Sequence, residues 1–225
     1  MKFSIITLFP EVFIPILNSS ILKRAQNKSK VEFEIINLRD FGEGLHKTVD
    51  DKPYGGGVGM ILKVDILAKA LLSIKKTKQS LVLLTSASGQ TYSQAKAKQL
   101  SKFKHLIIIC GHYEGIDQRF IDKYVDEEIS IGDFVLTGGE IPAMVIMDSI
   151  TRLIKGVLEK KEATTDESFE NNLLEYPHYT RPETFEGLKV PEVLLSGDHQ
   201  KISEWREEKA FEKTKKFRPD LLKRI

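Results

Sequence analysis

Two short runs with no polar side chain do most to limit what this chain can become. Leu81-Val-Leu-Leu84 and Leu106-Ile-Ile-Ile-Cys110 are runs of the kind found in strands buried on both faces. Such strands belong to parallel sheets covered by helices. The rest of the first 159 residues agrees. Strand-like segments at 2–8, 31–38, 80–84, 106–110 and 127–131 alternate with helical ones at 10–17, 19–27, 65–74, 93–101, 116–125 and 140–154. Ser19-Ser20 and Asp65 stand where helix caps are expected. The pattern defines an α/β protein with a mostly parallel sheet, and 225 residues give room for one domain or two.

Each buried run ends in small residues. The first continues as Thr85-Ser-Ala-Ser-Gly89, the second as Gly111-His-Tyr-Glu-Gly115. A third turn follows in Ile131-Gly-Asp-Phe-Val-Leu-Thr-Gly-Gly-Glu-Ile-Pro-Ala-Met144, which reads as a strand as far as Gly138-Gly139 and as a helix beyond. Adjacent glycines let backbone approach a ligand closely, and the helix start offers free N–H groups. One such turn serves packing as readily as binding. Three together point to one crevice outside the carboxyl ends of the strands, where open α/β sheets bind ligands.

Residues 39–60 show no periodicity, and loops of that length are usually functional. Gly55-Gly-Gly57 and Gly59 could wrap a phosphate, but no Gly-Lys-Ser/Thr closes the run, which excludes a P-loop NTPase. No spaced Gly-x-Gly-x-x-Gly follows the first strand, which argues against a nicotinamide-dependent oxidoreductase. Hydrophobic residues at 41% and charged residues at 29% describe an ordinary soluble domain, and no apolar run reaches the length of a membrane span. The lone Cys110 rules out an internal disulfide and a cysteine metal cluster. With a strand-like N-terminus in place of a secretory signal, a cytoplasmic protein is expected.

The net charge of +2 conceals an uneven distribution. Residues 63–104 hold nine lysines and one acid, and residues 213–224 hold six basic residues and one acid. Two basic clusters fit contact with a polyanion. Residues 160–187 are polar, acidic and poor in periodicity, and read as an interdomain linker. Beyond it, residues 188–225 form a small all-helical domain: a short piece through Leu195, then a helix capped by Asp198, with Trp205 as its expected core anchor. Residues 1–159 make the α/β domain.

Taken in order, five segments carry a resemblance. They are Thr7-Leu-Phe-Pro10 with Phe13, Asp51-Lys-Pro-Tyr-Gly-Gly-Gly57 with Gly59-Met60, Gly111-His-Tyr-Glu-Gly-Ile-Asp117, Ile131-Gly-Asp-Phe-Val-Leu136 with Gly138-Gly-Glu140 and Pro142-Ala-Met144, and Pro177-His-Tyr-Thr-Arg-Pro182. The chain resembles bacterial tRNA (guanine-N1)-methyltransferases of the trefoil-knot (SPOUT) superfamily over essentially its whole length. The resemblance implies a deep knot at the carboxyl ends of the last strands, a homodimer with active sites shared between subunits, and S-adenosylmethionine as methyl donor. It also implies magnesium dependence, without a recognisable protein site. By the same resemblance the donor meets Leu84, Thr85, Ser86, Gly89, Gly111, Tyr113, Glu114, Ile131, Gly132, Asp133, Phe134, Val135, Leu136, Gly138 and Gly139. Gly57, Gly59, His178, Tyr179 and Arg181 would meet tRNA, with residues 188–225 as a tRNA-binding domain.

The chain departs from the family pattern in three places. Ser86-Ala-Ser-Gly89 stands for Ser-Pro-Gln-Gly, Val58 stands for proline, and Asp166-Glu-Ser-Phe169 stands for the Asp-Ser-Phe that carries the family's proposed general base. Alignment puts Glu167 on that position, and a one-residue shift would put Asp166 there. N1 of guanine holds a proton at neutral pH, so a carboxylate base suits the chemistry. Arg152 matches the arginine that steadies the base or the developing charge on O6. The target so implied is the guanosine immediately 3′ of the anticodon. A knotted methyltransferase with another RNA target, and an RNA-binding module without turnover, are the alternatives.

Overall fold

A computed structural model describes residues 1–159 and 167–223. They fall into two compact units, Met1–Leu158 and Glu159–Ile225. In the first, the strands are β1 (Lys2–Thr7), β2 (Glu32–Asn37), β3 (Asp50–Asp51), β4 (Ile61–Leu62), β5 (Ser80–Thr91), β6 (His105–Cys110) and β7 (Glu127–Ser130). Its helices are α1 (Ile14–Leu17), α2 (Ser20–Asn27), α3 (Val64–Leu72), α4 (Gln94–Leu100), α5 (Gln118–Tyr124) and α6 (Glu140–Thr151). The second unit carries the hairpin β8 (Thr184–Phe185) and β9 (Leu188–Lys189), then α7 (Glu192–Leu195), α8 (His199–Phe217) and α9 (Pro219–Leu222).

The main sheet runs β2-β1-β6-β5-β7 and is parallel throughout. β6 and β5 occupy the middle, and every residue of β6 is buried, as an uninterrupted apolar run requires. Alternate side chains feed two cores. Phe3, Ile5, Leu106 and Ile108 pack with Ala143, Ile146 and Ile150 of α6 on one face. Ile6, Ile107 and Ile109 pack with Ile66, Leu67 and Leu71 of α3 and Phe120 of α5 on the other. Complete burial of each of these large side chains contributes about 1.5–3 kcal/mol. A row of polar groups, buried at Ser4 and His105 and half-buried at Glu34 and Ser80, crosses the amino-terminal end of the sheet. Ser4 donates to Glu34 at 2.7 Å and lies 2.9 Å from His105, whose other ring nitrogen is 3.2 Å from Ser80.

Several local expectations need correction. The segment from Ile131 to Leu136 is not strand: β7 ends at Ser130, opposite Thr91 at the end of β5, so no partner remains to extend the ladder. β5 is longer than its apolar part because the chain bulges at 86–89 and then resumes pairing at Gln90. α6 stops at Thr151, where Leu153 N–H turns to Ile150 O and Ile154 N–H to Thr151 O, tightening the last turn. α3 begins one residue earlier, on Lys63; Asp65 lies within its first turn and pairs with Lys69 at 3.7 Å. Ser19 precedes α2 but its hydroxyl donates back to Pro15 O, so it caps nothing. Residues 39–60 hold more order than their pattern announces, since β3 pairs antiparallel with β4.

In the second unit, Asp198 caps α8 by accepting from Lys201 N–H at 3.2 Å. Trp205 is only half-buried; among the described residues of this unit, Ala210, Thr214 and Leu221 are buried. Thr214 also accepts from Leu174 N–H at 2.7 Å, which ties residues near 174 to α8.

Candidate active site

The first unit gathers its turns at the carboxyl ends of β5, β6 and β7. There they line a cleft of about 530 Å3, within the range of small-ligand pockets. Leu84, Thr85 and Ser86 enter from β5, Gly111, Tyr113 and Glu114 from β6, and Ile131, Gly132, Phe134, Val135, Leu136, Gly138 and Gly139 from the segment after β7. Two antiparallel contacts stitch these walls together: Gly139 N–H donates to Gly111 O at 2.8 Å, and His112 bridges to Gly138.

The closest approach is at Gly139. A Cβ there would stand 2.0 Å from Thr85 Oγ1, 2.7 Å from Gly111 N and 2.8 Å from Cys110 Cα. Only glycine lets the start of α6 pass this close to the ends of β5 and β6. Glu140, the next residue, is buried and accepts from Thr7 Oγ1 at 2.8 Å. Thr7 Oγ1 in turn accepts from Phe9 N–H at 3.0 Å. A carboxylate in the first turn of a helix is favoured by the helix dipole. Burial pushes the Cys110 thiol well above its ordinary range, with Glu140 adding to the shift, which disfavours the thiolate there.

The wall from Ile131 to Leu136 is exposed backbone. The N–H groups of Asp133, Val135 and Leu136 meet no acceptor among the described residues. Val135 and Leu136 line the cleft beside Leu84, Ile131 and Pro142. A planar heterocycle with hydrogen-bonding edges fits such a mixture, and Glu114 and the Ser86 hydroxyl offer polar groups for a sugar or an amino acid. Tyr113 holds φ at 57°, uncommon for a ring residue, with its side chain 44% exposed.

Gly89 and Asp133 do not line the cleft. Gly59 lies against the Glu114 side chain, and Glu114 N–H donates to Met60 O at 3.0 Å, so the glycine loop backs that turn. Gly57 is exposed. Arg152 is half-buried at the C-cap of α6. Glu167, His178, Tyr179 and Arg181 belong to the second unit, and Asp166 lies outside the described residues. In that unit His178 pairs with Glu175 at 2.7 Å and stacks near Tyr176 at 4.7 Å, while Arg206 sits 4.9 Å over the Tyr176 ring. Tyr179 lies 6.3 Å from Trp205. Aromatic and guanidinium planes so placed can stack on unpaired bases.

Sequence reasoning passed over His112, Ser88, Gln118, Ser130, Thr137 and Pro142, all of which line the cleft. His112 had a signal, since it stands between Gly111 and Tyr113. Its Nδ1 is buried without a partner, and its ring meets Phe9 and Tyr113 edge-on at 5.0 and 4.7 Å. Among the described residues no group of three or more His, Cys, Asp or Glu could hold a metal ion. The residues present therefore give magnesium no evident protein site. No helix among them is long and apolar enough to cross a membrane.

A parallel sheet that brings three turns to one cleft at its carboxyl edge defines an α/β protein built to bind a nucleotide-like ligand. Known proteins narrow this. Residues 1–224 match the family model described as tRNA (guanine-1)-methyltransferase TrmD. A tRNA (guanine-N(1)-)-methyltransferase of Caldicellulosiruptor saccharolyticus is 55% identical over 99% of this chain and 90% of its own. Those of Clostridioides difficile and Bacillus subtilis are each 52% identical, over 100% and 99% of this chain and 98% and 93% of their own. The chain belongs to the tRNA (guanine-1)-methyltransferase family.

Proposed function

We propose that this chain transfers a methyl group from S-adenosylmethionine to N1 of the guanosine immediately 3′ of the anticodon of tRNA, position 37. The observation that carries the reading is the convergence of three turns on one cleft in a chain at least half identical, end to end, to enzymes of that name. When bound, S-adenosylmethionine supplies a methyl already activated on a sulfonium, so the donor side needs no acid. Leu84, Ile131, Leu136 and Pro142 give the adenine an apolar wall. The N–H groups of Val135 and Leu136 would serve its edge, and Glu114 the polar end of the donor.

The acceptor side needs a base. As N1 attacks, its N–H bond breaks and the proton passes to the Glu167 carboxylate, with Asp166 the alternative acceptor one residue away. The Arg152 guanidinium stabilises the charge that develops on O6. His178, Tyr179 and Arg181 hold the nucleotide out of the anticodon-loop stack. The enzyme works as a homodimer in the cytoplasm, with sites shared between subunits. Support for the dimer is an apolar surface: Val12 and Ile14, and Ile141 and Val145 one turn apart on α6, are all exposed. The reading includes a deep trefoil knot at the cleft, an expectation that family membership supports.

The test is transfer of labelled methyl to two unmodified tRNA transcripts, one with guanosine and one with adenosine 3′ of the anticodon. Incorporation into the first alone, recovered as 1-methylguanosine, is expected. Incorporation into neither, or at another nucleoside, sinks the reading.

A further inference from the structure

The sequence placed nine lysines in one run, and the cleft uses none of them. The fold sorts that run. Lys63 and Lys69 turn to Glu43 at 2.7 and 3.4 Å, and Lys96 to Glu127 at 2.7 Å. Apart from Lys98, which lies within α4, Lys75, Lys76, Lys78, Lys102 and Lys104 remain, all exposed. They sit in the segments that lead into β5 and β6, so the parallel sheet brings them to its amino-terminal rim, the edge opposite the cleft. Lys30, before β2, joins them.

Backbone bonds hold this rim together. The Met1 amine donates to Lys30 O at 2.8 Å, Lys2 N–H to Lys104 O at 2.8 Å, and Lys104 N–H to Gln79 O at 3.3 Å. Lys30, Lys104 and Lys78 thus follow one another across four adjacent strands, a span of about 14 Å at the usual strand spacing. Among the described residues none of the six lysines has a carboxylate partner. The acids at this end are engaged elsewhere: Glu32 and Glu34 with Lys2, Glu127 with Lys96, and Asp126 with Val82 N–H at 2.7 Å.

We infer that this rim is a second RNA contact, a docking surface for the phosphate backbone of tRNA away from the nucleotide that is methylated. The inference rests on the tRNA substrate proposed above. Three features identify the partner. The cationic groups are unpaired, so they are not consumed by the protein's own acids. They are all lysines, point charges on flexible stems that grip phosphate without reading sequence. And the six-residue strands β1 and β6, at about 3.3 Å per residue, put the rim about 20 Å from the cleft, too far for one nucleotide to touch both. A large folded RNA can reach both.

The test compares the full-length protein with two variants, one with Lys75, Lys76 and Lys78 changed to Gln and one with Lys30, Lys102 and Lys104 changed to Gln. Binding of an unmodified tRNA transcript is measured against salt concentration, with S-adenosylmethionine affinity and thermal unfolding as controls for folding. Each engaged lysine should lower the slope of log K against log[salt] by about 0.7–0.9. We expect each triple variant to lose about two in slope, and to raise KM for tRNA while kcat at saturating tRNA is kept. A slope within about 0.5 of the unsubstituted protein's in both variants overturns the proposal. Binding is read without turnover. A fall in slope in a protein that methylates no tRNA would keep the rim and discard the activity; normal methylation with unchanged slopes would do the reverse.

Discussion

Replacing Gly139 by alanine adds one methyl group at the tightest point of the cleft. Backbone strain is not the difficulty, because φ at Gly139 is −83°, which alanine adopts freely. The obstacle is contact. The Thr85 hydroxyl, 2.0 Å from the added carbon, can rotate away, at the loss of its 3.1 Å bond to Ile109 O. Gly111 N at 2.7 Å and Cys110 Cα at 2.8 Å are backbone of the central strand and its turn, and cannot. Relief to ordinary contact at about 3.4 Å needs the start of α6 to withdraw by about 0.7 Å from the end of β6, and overpacking of this kind costs about 1–3 kcal/mol. For a chain of this size that is a fall in Tm of about 2–12 °C. The same withdrawal lengthens the Gly139–Gly111 bond that joins two walls of the cleft, so affinity for S-adenosylmethionine should fall by tenfold or more, about 1.4 kcal/mol. Calorimetric titration with the donor and thermal unfolding of Gly139→Ala read both quantities. Adding Thr85→Ala should not restore either, since the backbone contacts stay. Unchanged Tm and unchanged donor affinity in Gly139→Ala would refute the argument.

Glu167→Gln should lower the single-turnover methylation rate by about 10²- to 10⁴-fold, the usual worth of a positioned base, with donor affinity unchanged; an equal loss in Asp166→Asn and none in Glu167→Gln would move the base one residue. Acid should destabilise the first unit through its polar row at Ser4, Glu34 and His105. Burial, with Lys2 adding to it, holds His105 below its ordinary value of 6.5, and the Ser4 hydroxyl holds Glu34 below its ordinary 4.5. Both folded values are depressed, so this stability is complete above the unfolded values and is lost as pH falls, from about 6.5 downward for His105 and about 4.5 downward for Glu34. His105→Gln should therefore shrink the drop in Tm between about pH 7.5 and 5.5, and an undiminished drop would show that His105 is not its source. The Cys110 thiol should resist a maleimide at about pH 8 until denaturant unfolds the chain, because burial raises its pKa and denies access; rapid labelling of the folded protein contradicts this.

The sheet was legible because its central strands are apolar without interruption, a pattern that survives without knowledge of neighbours. The segment after β7 was not. Phe134, Val135 and Leu136 have strand-forming side chains, but a strand also needs a partner, and β5 ends at Thr91. That fact is non-local. The end of α3 shows a smaller failure of the same kind: Asp65 has the chemistry of a cap, yet the chain enters the helix at Lys63, where the bond from Lys63 N–H to Val49 O fixes the entry. Trp205, the lone tryptophan, is the expected core anchor, whereas α8 buries Ala210 and Thr214. The three turns were legible as turns, and their convergence was inferred from the parallel order. His112 had a local signal in its place between Gly111 and Tyr113, but that its ring packs against Phe9 and leaves Nδ1 buried is a non-local fact.

Ile129 of β7 pairs twice, with Thr85 before the bulge and with Gln90 after it. The four residues between leave the sheet and return to the same place on the same neighbour. Their identity is thus uncoupled from strand register. Ala87 and Ser88, which depart from the family pattern, are a wall of the cleft that can be rewritten without disturbing the strands on either side. Gly89 cannot, because a Cβ there would fall 2.5 Å from Glu128 C and Ile129 N. Donor preference in this scaffold is accordingly adjustable at 87 and 88 by substitution or by library selection, and the folding of the sheet should remain indifferent to the choice.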